Sequence, residues 1–323
     1  MRRPERFIFA ALAFTFASAF ATSCAAQSWP DKPIRLIVNF GTGGAPDVVA
    51  RLYAPRLSEA LGQPVVVENR AGAGGNIGIE AVVRSAPDGY TLLSSASSSF
   101  VIGPHVYKLA FDPVKDIVPV APMALTPMYL VVRPALPVRN VADLVAYIRV
   151  NPGKLNYGSA GGGTLPHAAA EMMLRIADIR AVHVPFKGSG AALAALIGDQ
   201  VDFVFDPGVA IPQVRAGKAR LLAVGSNYRS PGFPDTPTLR EAGVDMTAVS
   251  VVGLFAPAGT PGEIVARLNR EVARIMQAPQ TTTALAAMAA ESINASPLEL
   301  AALLARDRER FGVIVREAGI RAE

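Results

Sequence analysis

Two glycine-rich segments carry the residues best suited to hold a small molecule. The first reads "NFGTGGAPD" (residues 39–47) and the second reads "SAGGGTLPH" (residues 159–167). Each follows a short apolar run and leads into an amphipathic stretch typical of a helix. Backbone N–H groups in such a turn favour an anion, because the partial positive charge of the helix start adds to theirs. Two such loops in different parts of the chain predict a cleft that binds an anion from both sides.

Polar side chains in and beside these loops are candidates for binding. Ser159 and Thr164 can donate hydrogen bonds in the second loop, and His167 lies near the start of the helix that follows. Asp47 is favoured at a helix start by the dipole alone. The alternatives for Asp47 are helix capping, ordering of the loop, and orientation of a ligand amine or hydroxyl.

Two further segments follow predicted strands. The hydroxyl-rich run "SSASSSF" (residues 94–100) stands at the carboxyl end of the third strand, where open α/β sheets place their ligands. Ser95 and Ser97 are therefore binding candidates, with a purely structural role as the alternative. The glycine-dense run "ENRAGAGGNIG" (residues 68–78) is interpreted as a structural turn between a strand and a helix, with a wall of the ligand site as the alternative.

Catalytic and cofactor motifs are absent from the sequence. The glycine spacing fails G-x-G-x-x-G, no P-loop lysine follows, and there is no G-x-S-x-G or H-E-x-x-H. His105, His167 and His183 lack the spacing of metal ligands. We therefore expect no catalytic residue, no metal and no cofactor. The alternative from another class is an exported α/β hydrolase or isomerase that uses His167 and a serine such as Ser159.

The chain alternates between strand-like and helix-like segments, which predicts βαβ units and a largely parallel sheet. Predicted strands cover 34–40, 64–69, 90–95, 154–159, 180–186, 201–205 and 219–224. Predicted helices cover 47–61, 77–85, 141–150, 167–177, 190–197 and 209–216. A kink or break is expected at Pro55. Helix starts with capping boxes are predicted at "TPGE" (260–263) and "SPLE" (296–299).

Two long extended stretches interrupt this alternation. Residues 116–134 are apolar and punctuated by prolines, and residues 248–260 form a second extended run. They bracket one alternating block, so they are interpreted as paired crossovers between two lobes. The predicted domains are a signal peptide at 1–26, one lobe at 27–128 plus 249–323, and a second lobe at 129–248.

Composition and the N-terminus restrict the possible functions. The chain has 323 residues and a net charge of +5, without a basic run interleaved with aromatics, so nucleic acid is not an expected partner. "MRRPER", an apolar run at 7–20 and small residues before Ala26 predict a cleaved signal peptide and a periplasmic protein. Lipid anchoring at Cys24, the only cysteine, is the less favoured alternative because residues 21–23 lack a large aliphatic side chain.

The chain resembles the Bug family, the extracytoplasmic solute receptors of tripartite tricarboxylate transporters. Eight segments in order carry the resemblance and cover nearly the whole mature chain. They are "GTGGAPDVVAR" (41–51), "VVVENRAGAGGNIG" (65–78), "APDGYTLL" (86–93), "HVPFKGSGAALAALIGDQVDF" (183–203), "PQVRAGKARLLAV" (212–224), "FPDTPTLREAGV" (233–244), "GLFAPAGTP" (253–261) and "REAGI" (316–320).

The resemblance implies a bilobal α/β fold of the periplasmic-binding-protein kind (type II-like), with two lobes joined by two crossing strands. It implies a small carboxylate held by backbone amides and ordered waters from one loop of each lobe, with its second end near the loop after Leu93 and near Asp206. The implied first-loop residues are Phe40, Gly41, Thr42, Gly43, Gly44 and Asp47. The implied second-loop residues are Ser159, Gly162, Gly163, Thr164 and His167.

The same resemblance implies a monomeric receptor that hands its ligand to membrane transporter subunits. A sensor subunit that serves a signalling kinase is the alternative within this fold, and the sequence does not separate the two. The first loop departs from the family pattern, because Asn39 and Thr42 occupy positions where proline is usual. Loss of both prolines is expected to loosen the loop or to add polar donors to it.

Overall fold

A computed structural model describes residues 29–321 of the chain. The predicted signal peptide, including Cys24, lies outside these residues. Within the described range, no helix is both long and apolar enough to cross a membrane.

Strands within residues 29–321 form two five-stranded sheets, one in each lobe. In chain order they are β1 (Ile34–Val38), β2 (Val65–Asn69), β3 (Thr91–Ala96), β4 (Ile117–Pro127), β5 (Tyr129–Val132), β6 (Asn156–Ser159), β7 (Val182–Pro185), β8 (Phe203–Asp206), β9 (Arg220–Val224) and β10 (Val249–Pro257). The first sheet has the order β2-β1-β3-β10-β4, and the second has the order β7-β6-β8-β5-β9.

Helices cover the faces of both sheets. They are α1 (Ala45–Leu61), α2 (Asn76–Val83), α3 (Ser98–Val101), α4 (Gly103–Val106), α5 (Val141–Val150), α6 (Leu165–Ile176), α7 (Ser189–Ile197), α8 (Ile211–Arg215), α9 (Gly262–Met276), α10 (Pro279–Ala287) and α11 (Pro297–Ala318). All the strands and helices predicted from periodicity are present, with ends shifted by a few residues.

The two sheets share one topology. In each, three strands are parallel, and one crossing strand runs antiparallel between the third of them and the far edge strand. Parallel strands present their carboxyl ends at the same edge, so the loops after β1 and β3 meet in the first lobe. The loops after β6 and β8 meet in the second lobe for the same reason. The structure confirms the predicted bilobal α/β fold.

The two crossovers pair along β4 and β10 and stay in contact where the chain passes from the first sheet to the second. Met128 is the single residue between β4 and β5, and its N–H donates to the Ala248 carbonyl at 2.9 Å. Ala248 N–H donates to Gly225 O, and Gly225 N–H donates to Met128 O, both at 2.7 Å. A Cβ on Gly225 would lie 2.8 Å from the Ala248 carbonyl oxygen. Glycine is therefore required at position 225, because the two backbone segments approach each other closely.

Helix α1 shows how the first lobe positions its binding loop. Val49, Tyr53 and Leu57 share one face of α1, and all three are buried against the first sheet. The Tyr53 hydroxyl donates to the Met123 carbonyl at 2.7 Å, which ties the helix to β4. Burial of each such side chain contributes about 1.5–3 kcal/mol. The start of α1 is thereby held against the carboxyl end of β1.

Two local expectations differ from the structure. Helix α1 is not broken at Pro55, because Pro55 lies on the exposed face, where the carbonyl that loses its hydrogen bond can reach water; a kink there stays a prediction. At "TPGE" the helix starts only at Gly262, and the Thr260 hydroxyl donates to the Pro257 carbonyl at 2.8 Å instead of capping the helix. The capping box predicted at "SPLE" is confirmed, with Ser296 and Glu299 exchanging both hydrogen bonds.

Candidate functional site

The first binding loop joins β1 to α1 in a tight turn. Gly44 N–H donates to the Gly41 carbonyl at 3.2 Å, and Gly43 adopts a left-handed φ of 78°. Ala45 is the first helical residue and is followed by Pro46, which has no N–H. Helix geometry leaves the Ala45 N–H without a partner inside the helix. That N–H and the helix start are therefore available to a ligand.

Asp47 holds the first loop in shape. Its carboxylate accepts hydrogen bonds from Gly43 N–H (2.9 Å), Arg51 Nε (3.0 Å) and Asn69 Nδ2 (2.9 Å), and its side chain is buried. Burial alone would raise the pKa of Asp47, but the hydrogen bonds from Arg51, Gly43 and Asn69 outweigh it and lower the pKa below its usual value. Asp47 therefore orders the loop as a carboxylate whose charge Arg51 balances.

The second binding loop repeats this geometry between β6 and α6. Thr164 N–H donates to the Gly161 carbonyl at 3.4 Å, and Gly163 adopts a left-handed φ of 68°. Leu165 begins the helix and is followed by Pro166. The Thr164 hydroxyl donates to the Gly161 carbonyl at 2.7 Å, which fixes the turn further. The second loop thus presents the Leu165 N–H and a second helix start.

A stack of imidazoles supports the second loop. His167 Nδ1 accepts the Gly163 N–H at 3.3 Å, and the His167 ring lies 3.9 Å from the His183 ring at an angle of 11°. His183 Nε2 contacts the Ser159 hydroxyl at 2.6 Å. Burial, with a smaller effect of His183, lowers the pKa of His167 to about 3. His167 is consequently neutral near pH 7, which lets Nδ1 accept the amide proton.

The two lobes meet directly at these loops. Gly41 N–H donates to the Lys187 carbonyl at 2.9 Å, from the first lobe to the segment before α7. The Tyr107 hydroxyl donates to the Gly162 carbonyl at 2.9 Å. Both contacts join a residue of one lobe to the backbone of the other. The cleft is therefore closed around the space between the loops.

A small cavity of about 30 Å³ lies between the lobes. Its wall consists of Phe40, Gly44, Ala45, Pro46, Ala96 and Ser98 from the first lobe, Thr126, Met128, Ser250 and Val252 from the crossovers, and Ala160, Thr164, Leu165, Pro166, Ser189 and Pro207 from the second lobe. None of these side chains is ionisable. The polar groups that an anion could meet in this largely apolar wall are backbone dipoles and hydroxyls.

An outer chamber adjoins this cavity and opens to solvent. Phe40 and Ala160 line both spaces, and the outer chamber also contains the Gly72–Gly75 turn, Tyr107 and Lys187. The "ENRAGAGGNIG" run, interpreted as a structural turn, therefore reaches the mouth of the cleft. Lys187 is an exposed cation at that mouth, where it can attract an anion from solution.

The structure brings the loop candidates together but gives them different positions. Phe40, Gly44 and Thr164 line the inner cavity, and Gly162 lines the outer chamber. The remaining loop candidates line neither space and instead make contacts within or beside the loops. They are Gly41, Thr42, Gly43, Asp47, Ser159, Gly163 and His167.

The three candidates outside the loops also lie behind the wall. The Ser95 hydroxyl donates to the Ala96 carbonyl at 3.1 Å, and the Ser97 hydroxyl accepts the Val251 N–H at 3.1 Å. Asp206 is buried and accepts the backbone N–H groups of Gly208 and Ala210, both at 2.8 Å. Burial raises the pKa of Asp206 to about 7, although its backbone hydrogen bonds oppose the shift. Its turn places Pro207 in the cavity wall.

Several residues of the cavity wall were not among the binding candidates predicted from the sequence. Thr126 and Ser250 are paired in register across β4 and β10, and the Thr126 hydroxyl donates to the Ser250 carbonyl at 3.1 Å. A single hydroxyl residue inside an otherwise apolar extended run was the available signal for each. Ser98 belongs to the same serine run as Ser97 and points to the cavity by its position one residue later. Ser189 had no distinguishing local signal.

The departures from the family pattern have structural uses. Asn39 is buried and its Nδ2 donates to the Ser99 hydroxyl at 3.1 Å, linking the end of β1 to α3. Thr42 Oγ1 lies 3.5 Å from Asn69 Oδ1, which is a weak contact. No group of three His, Cys, Asp or Glu side chains within residues 29–321 is arranged to hold a metal ion.

Two α/β lobes that close on a small cavity define the class of two-lobed solute-binding proteins. The chain belongs to the tripartite tricarboxylate transporter receptor family, whose model matches residues 49–320. It is 35% identical to Protein BugT of Bordetella pertussis over 311 residues, which cover 95% of each chain. These findings confirm the resemblance to the Bug receptors that the sequence indicated.

Solved structures with bound carboxylates are similar over almost the whole fold. An R. palustris protein with adipate has a TM-score of 0.89 and 35% identity, and the match covers 91% of this chain and all of that one. MatC from Rhodopseudomonas palustris with bound malate has a TM-score of 0.85 and 34% identity, over 89% of this chain and all of that one. The periplasmic binding protein BugD has a TM-score of 0.87 at 31% identity.

Proposed function

We propose that this chain captures a small carboxylate between its lobes, as the periplasmic receptor of a tripartite tricarboxylate-type transporter. One observation carries the proposal. Two glycine loops, each at a helix start, face one cavity whose wall contains no ionisable side chain. Fixed backbone dipoles can hold a carboxylate there without a dedicated cation. The two relatives solved with adipate and malate support the same ligand class.

Binding is coupled to lobe closure in this proposal. The loop of the first lobe and the loop of the second lobe contact the same carboxylate only when the lobes meet. A ligand with this difference in contacts favours the closed state. We propose the lobe limits 27–128 plus 249–323 and 129–248 for the two moving bodies, with the hinge at Met128, Gly225 and Ala248.

We propose a receptor without catalysis, although Ser159 has an imidazole partner. Ser159 contacts His183 at 2.6 Å, whereas His167, the catalytic candidate of the alternative, accepts a backbone N–H through Nδ1. The Ser159 hydroxyl also bonds the backbone of its own loop at Gly161, at 3.1–3.2 Å. The Ser159 hydroxyl and the His167 imidazole thus both make hydrogen bonds that hold the backbone of the second loop in place. Sensing for a signalling kinase stays the alternative for the partner, because it needs the same binding step.

The test is a titration of the mature chain from residue 27 with malate, adipate, succinate, glutamate and benzoate. The primary amides of the same acids are the matched neutral controls. A carboxylate at about 100 times its dissociation constant should stabilise the protein by about 2.7 kcal/mol. Calorimetry then provides the affinity, and the protein is first unfolded and refolded to remove any retained ligand. Equal binding of acid and amide, or binding of none, would overturn the proposal.

Location and partner are tested separately. Export predicts that the full-length chain appears in the periplasmic fraction cut near Ala26, without a lipid on Cys24. Mass spectrometry of the purified mature chain measures both. Transporter coupling predicts that cells lacking the gene lose uptake of the carboxylate that binds. Loss of a transcriptional response with uptake intact would favour the sensor alternative.

A further inference from the structure

The start of helix α7 packs against the first binding loop through backbone alone. Gly41 N–H donates to the Lys187 carbonyl at 2.9 Å, and the Gly43 and Gly190 backbones lie side by side. A Cβ on Gly41 would lie 2.9 Å from the Lys187 oxygen. A Cβ on Gly190 would lie 3.0 Å from the Gly43 carbonyl. We call this contact between residues 41–43 and 187–190 the glycine seam.

The glycine seam connects the two lobes, so it exists only when they are closed. Residues 41–43 follow a strand of the first sheet, and residues 187–190 follow an edge strand of the second sheet. Real Cβ atoms essentially never lie under 3.0 Å from a backbone carbonyl, as one on Gly41 would, and the 3.0 Å contact at Gly190 is tighter than nine in ten real Cβ contacts. A side chain on either surface would hold the lobes apart by a few tenths of an ångström or more. The seam therefore limits how far the cleft can close.

Closure at the seam brings a third helix start to the cavity. Helix α7 begins at Ser189, which lines the cavity and is buried to more than nine-tenths. Within residues 29–321 the Ser189 hydroxyl makes no hydrogen bond, and its N–H is a first-turn amide without a helical partner. Gly44 of the first loop lies beside Ser189. A Cβ built on Gly44 would lie 3.8 Å from the Ser189 backbone nitrogen. Two helix starts from opposite lobes thus meet at one point.

We propose that the first turn of α7, Ser189–Gly190, is a third arm of the carboxylate site that engages only on closure. This inference rests on the proposed function and adds the part of the site that makes closure depend on the ligand. A carboxylate in the open protein meets one lobe at a time. In the closed protein it gains the Ser189 hydroxyl and N–H next to the start of α1. That gain adds to the differential affinity of the two loops, which shifts the population towards the closed state.

Gly190→Ala tests the seam without touching the cavity wall. Gly190 has ordinary helical backbone within α7, and alanine is the better helix former, so the variant should fold. Gly262→Ala is the matched control, since Gly262 is also in the first turn of a helix and has open space around its Cβ direction. The probe is the tightest-binding acid among malate, adipate, succinate, glutamate and benzoate.

The expected result is a loss of affinity of about tenfold for Gly190→Ala, since the closed fraction falls by that factor. The loss should appear as faster dissociation, with reduced compaction by solution scattering. Gly262→Ala should match the wild type in both. Ser189→Ala should weaken binding severalfold while leaving the unliganded protein equally stable. Wild-type affinity and compaction in both Gly190→Ala and Ser189→Ala would overturn the inference. Failure of the wild type to bind any acid would instead overturn the proposed function.

Discussion

The two glycine loops have nearly the same backbone conformation, but an ionised carboxylate supports the first and a neutral imidazole supports the second. In both, a left-handed glycine donates its N–H to a side chain four residues later, and an X–Pro pair begins the helix. In the first loop the acceptor is the carboxylate of Asp47, balanced by Arg51. In the second loop it is the neutral imidazole of His167, stacked on His183.

The difference shows two ways in which the proposed anion site can be supported from behind its wall. A bare carboxylate next to a bound anion would repel it, so Asp47 is acceptable only with a cation and an amide on its other oxygen. A neutral imidazole needs no counter-ion, but it must be buried, because burial lowers its pKa and so prevents protonation. Either solution fixes a glycine N–H and leaves the helix start free for the ligand.

The largest expected effect comes from Asp47→Ala. The change removes the acceptor for Gly43 N–H, Arg51 and Asn69 at once, so the free energy of unfolding should fall by about 3 kcal/mol. Carboxylate affinity should fall with it, because the first loop loses its shape. Urea unfolding and calorimetry measure the two. Asp143→Ala is the control, since Asp143 also accepts a backbone N–H beside a helix start, that of Arg139. Equal losses in both variants would remove the special role of the first loop.

The second effect concerns stability against pH. Below the ordinary pKa of 6.5 the unfolded imidazole of His167 binds a proton, whereas the folded one stays neutral down to about pH 3. Stability should therefore fall as pH falls through this window, by about 2 kcal/mol between pH 7.5 and pH 5. His167→Asn should abolish that slope, measured by urea unfolding at each pH. An unchanged slope would mean that the stack does not hold His167 neutral.

The contribution of Asp206 must be separated from that measurement, because Asp206 changes the stability with pH in the opposite direction. Its pKa is raised from 3.8 to about 7, so the folded carboxyl keeps a proton that the unfolded one has lost. Stability from Asp206 therefore falls as pH rises from about 4 to 7. Asp206→Asn keeps an oxygen acceptor for Gly208 and Ala210, and it should flatten this opposing slope. The His167 comparison is best made in the Asp206→Asn background.

The third effect is expected when the second loop receives the carboxylate support of the first loop. His167→Asp puts a carboxylate on the Gly163 N–H without a counterpart of Arg51. Repulsion of a bound carboxylate should weaken its affinity about tenfold at pH 8, equivalent to about 1.4 kcal/mol. The loss should shrink as pH falls towards 4, because an aspartate takes up a proton near its ordinary pKa of about 3.9. Calorimetry at both pH values gives the answer, and full affinity at pH 8 would show that the cation in the first loop is dispensable.

The smallest effect is expected from Thr42→Val. The Thr42 hydroxyl lies 3.5 Å from Asn69 Oδ1, too far for more than a weak hydrogen bond. Affinity and stability should both change by less than about 0.5 kcal/mol. A tenfold loss of carboxylate affinity in this variant would place Thr42 in direct contact with the ligand and revise the position of the first loop.

Most of the fold was predictable because its signals are local. Apolar periodicity identified the strands and helices, and the proline-rich runs identified the crossovers at β4–β5 and β10. Local reasoning failed at Pro55, where the exposed side of α1 tolerates proline, and at Thr260, where the last residues of β10 compete for its hydroxyl. The first error depends on which side of α1 faces solvent, and the second on Pro257, a carbonyl acceptor only three residues before Thr260.

The site was predictable only in part, for a related reason. The glycine loops and the i,i+4 pairing of Asp47 with Arg51 are visible in short segments. The His167–His183 stack needs β7 to lie next to β6, and the Thr126–Ser250 contact needs β4 and β10 in register. These contacts join residues that are up to 124 positions apart. Local spacing carries no information about them.

The sequence by itself determined the two glycine loops at helix starts, the alternation of strands and helices, and the family. Those properties depend on residue type and short spacing, which fix backbone conformation locally. Only the tertiary structure decided which hydroxyls line the cavity, which side chains support the loops from behind, and that α7 meets the first loop through glycines. Such contacts depend on strand order and lobe closure, and both arise from packing of the whole chain.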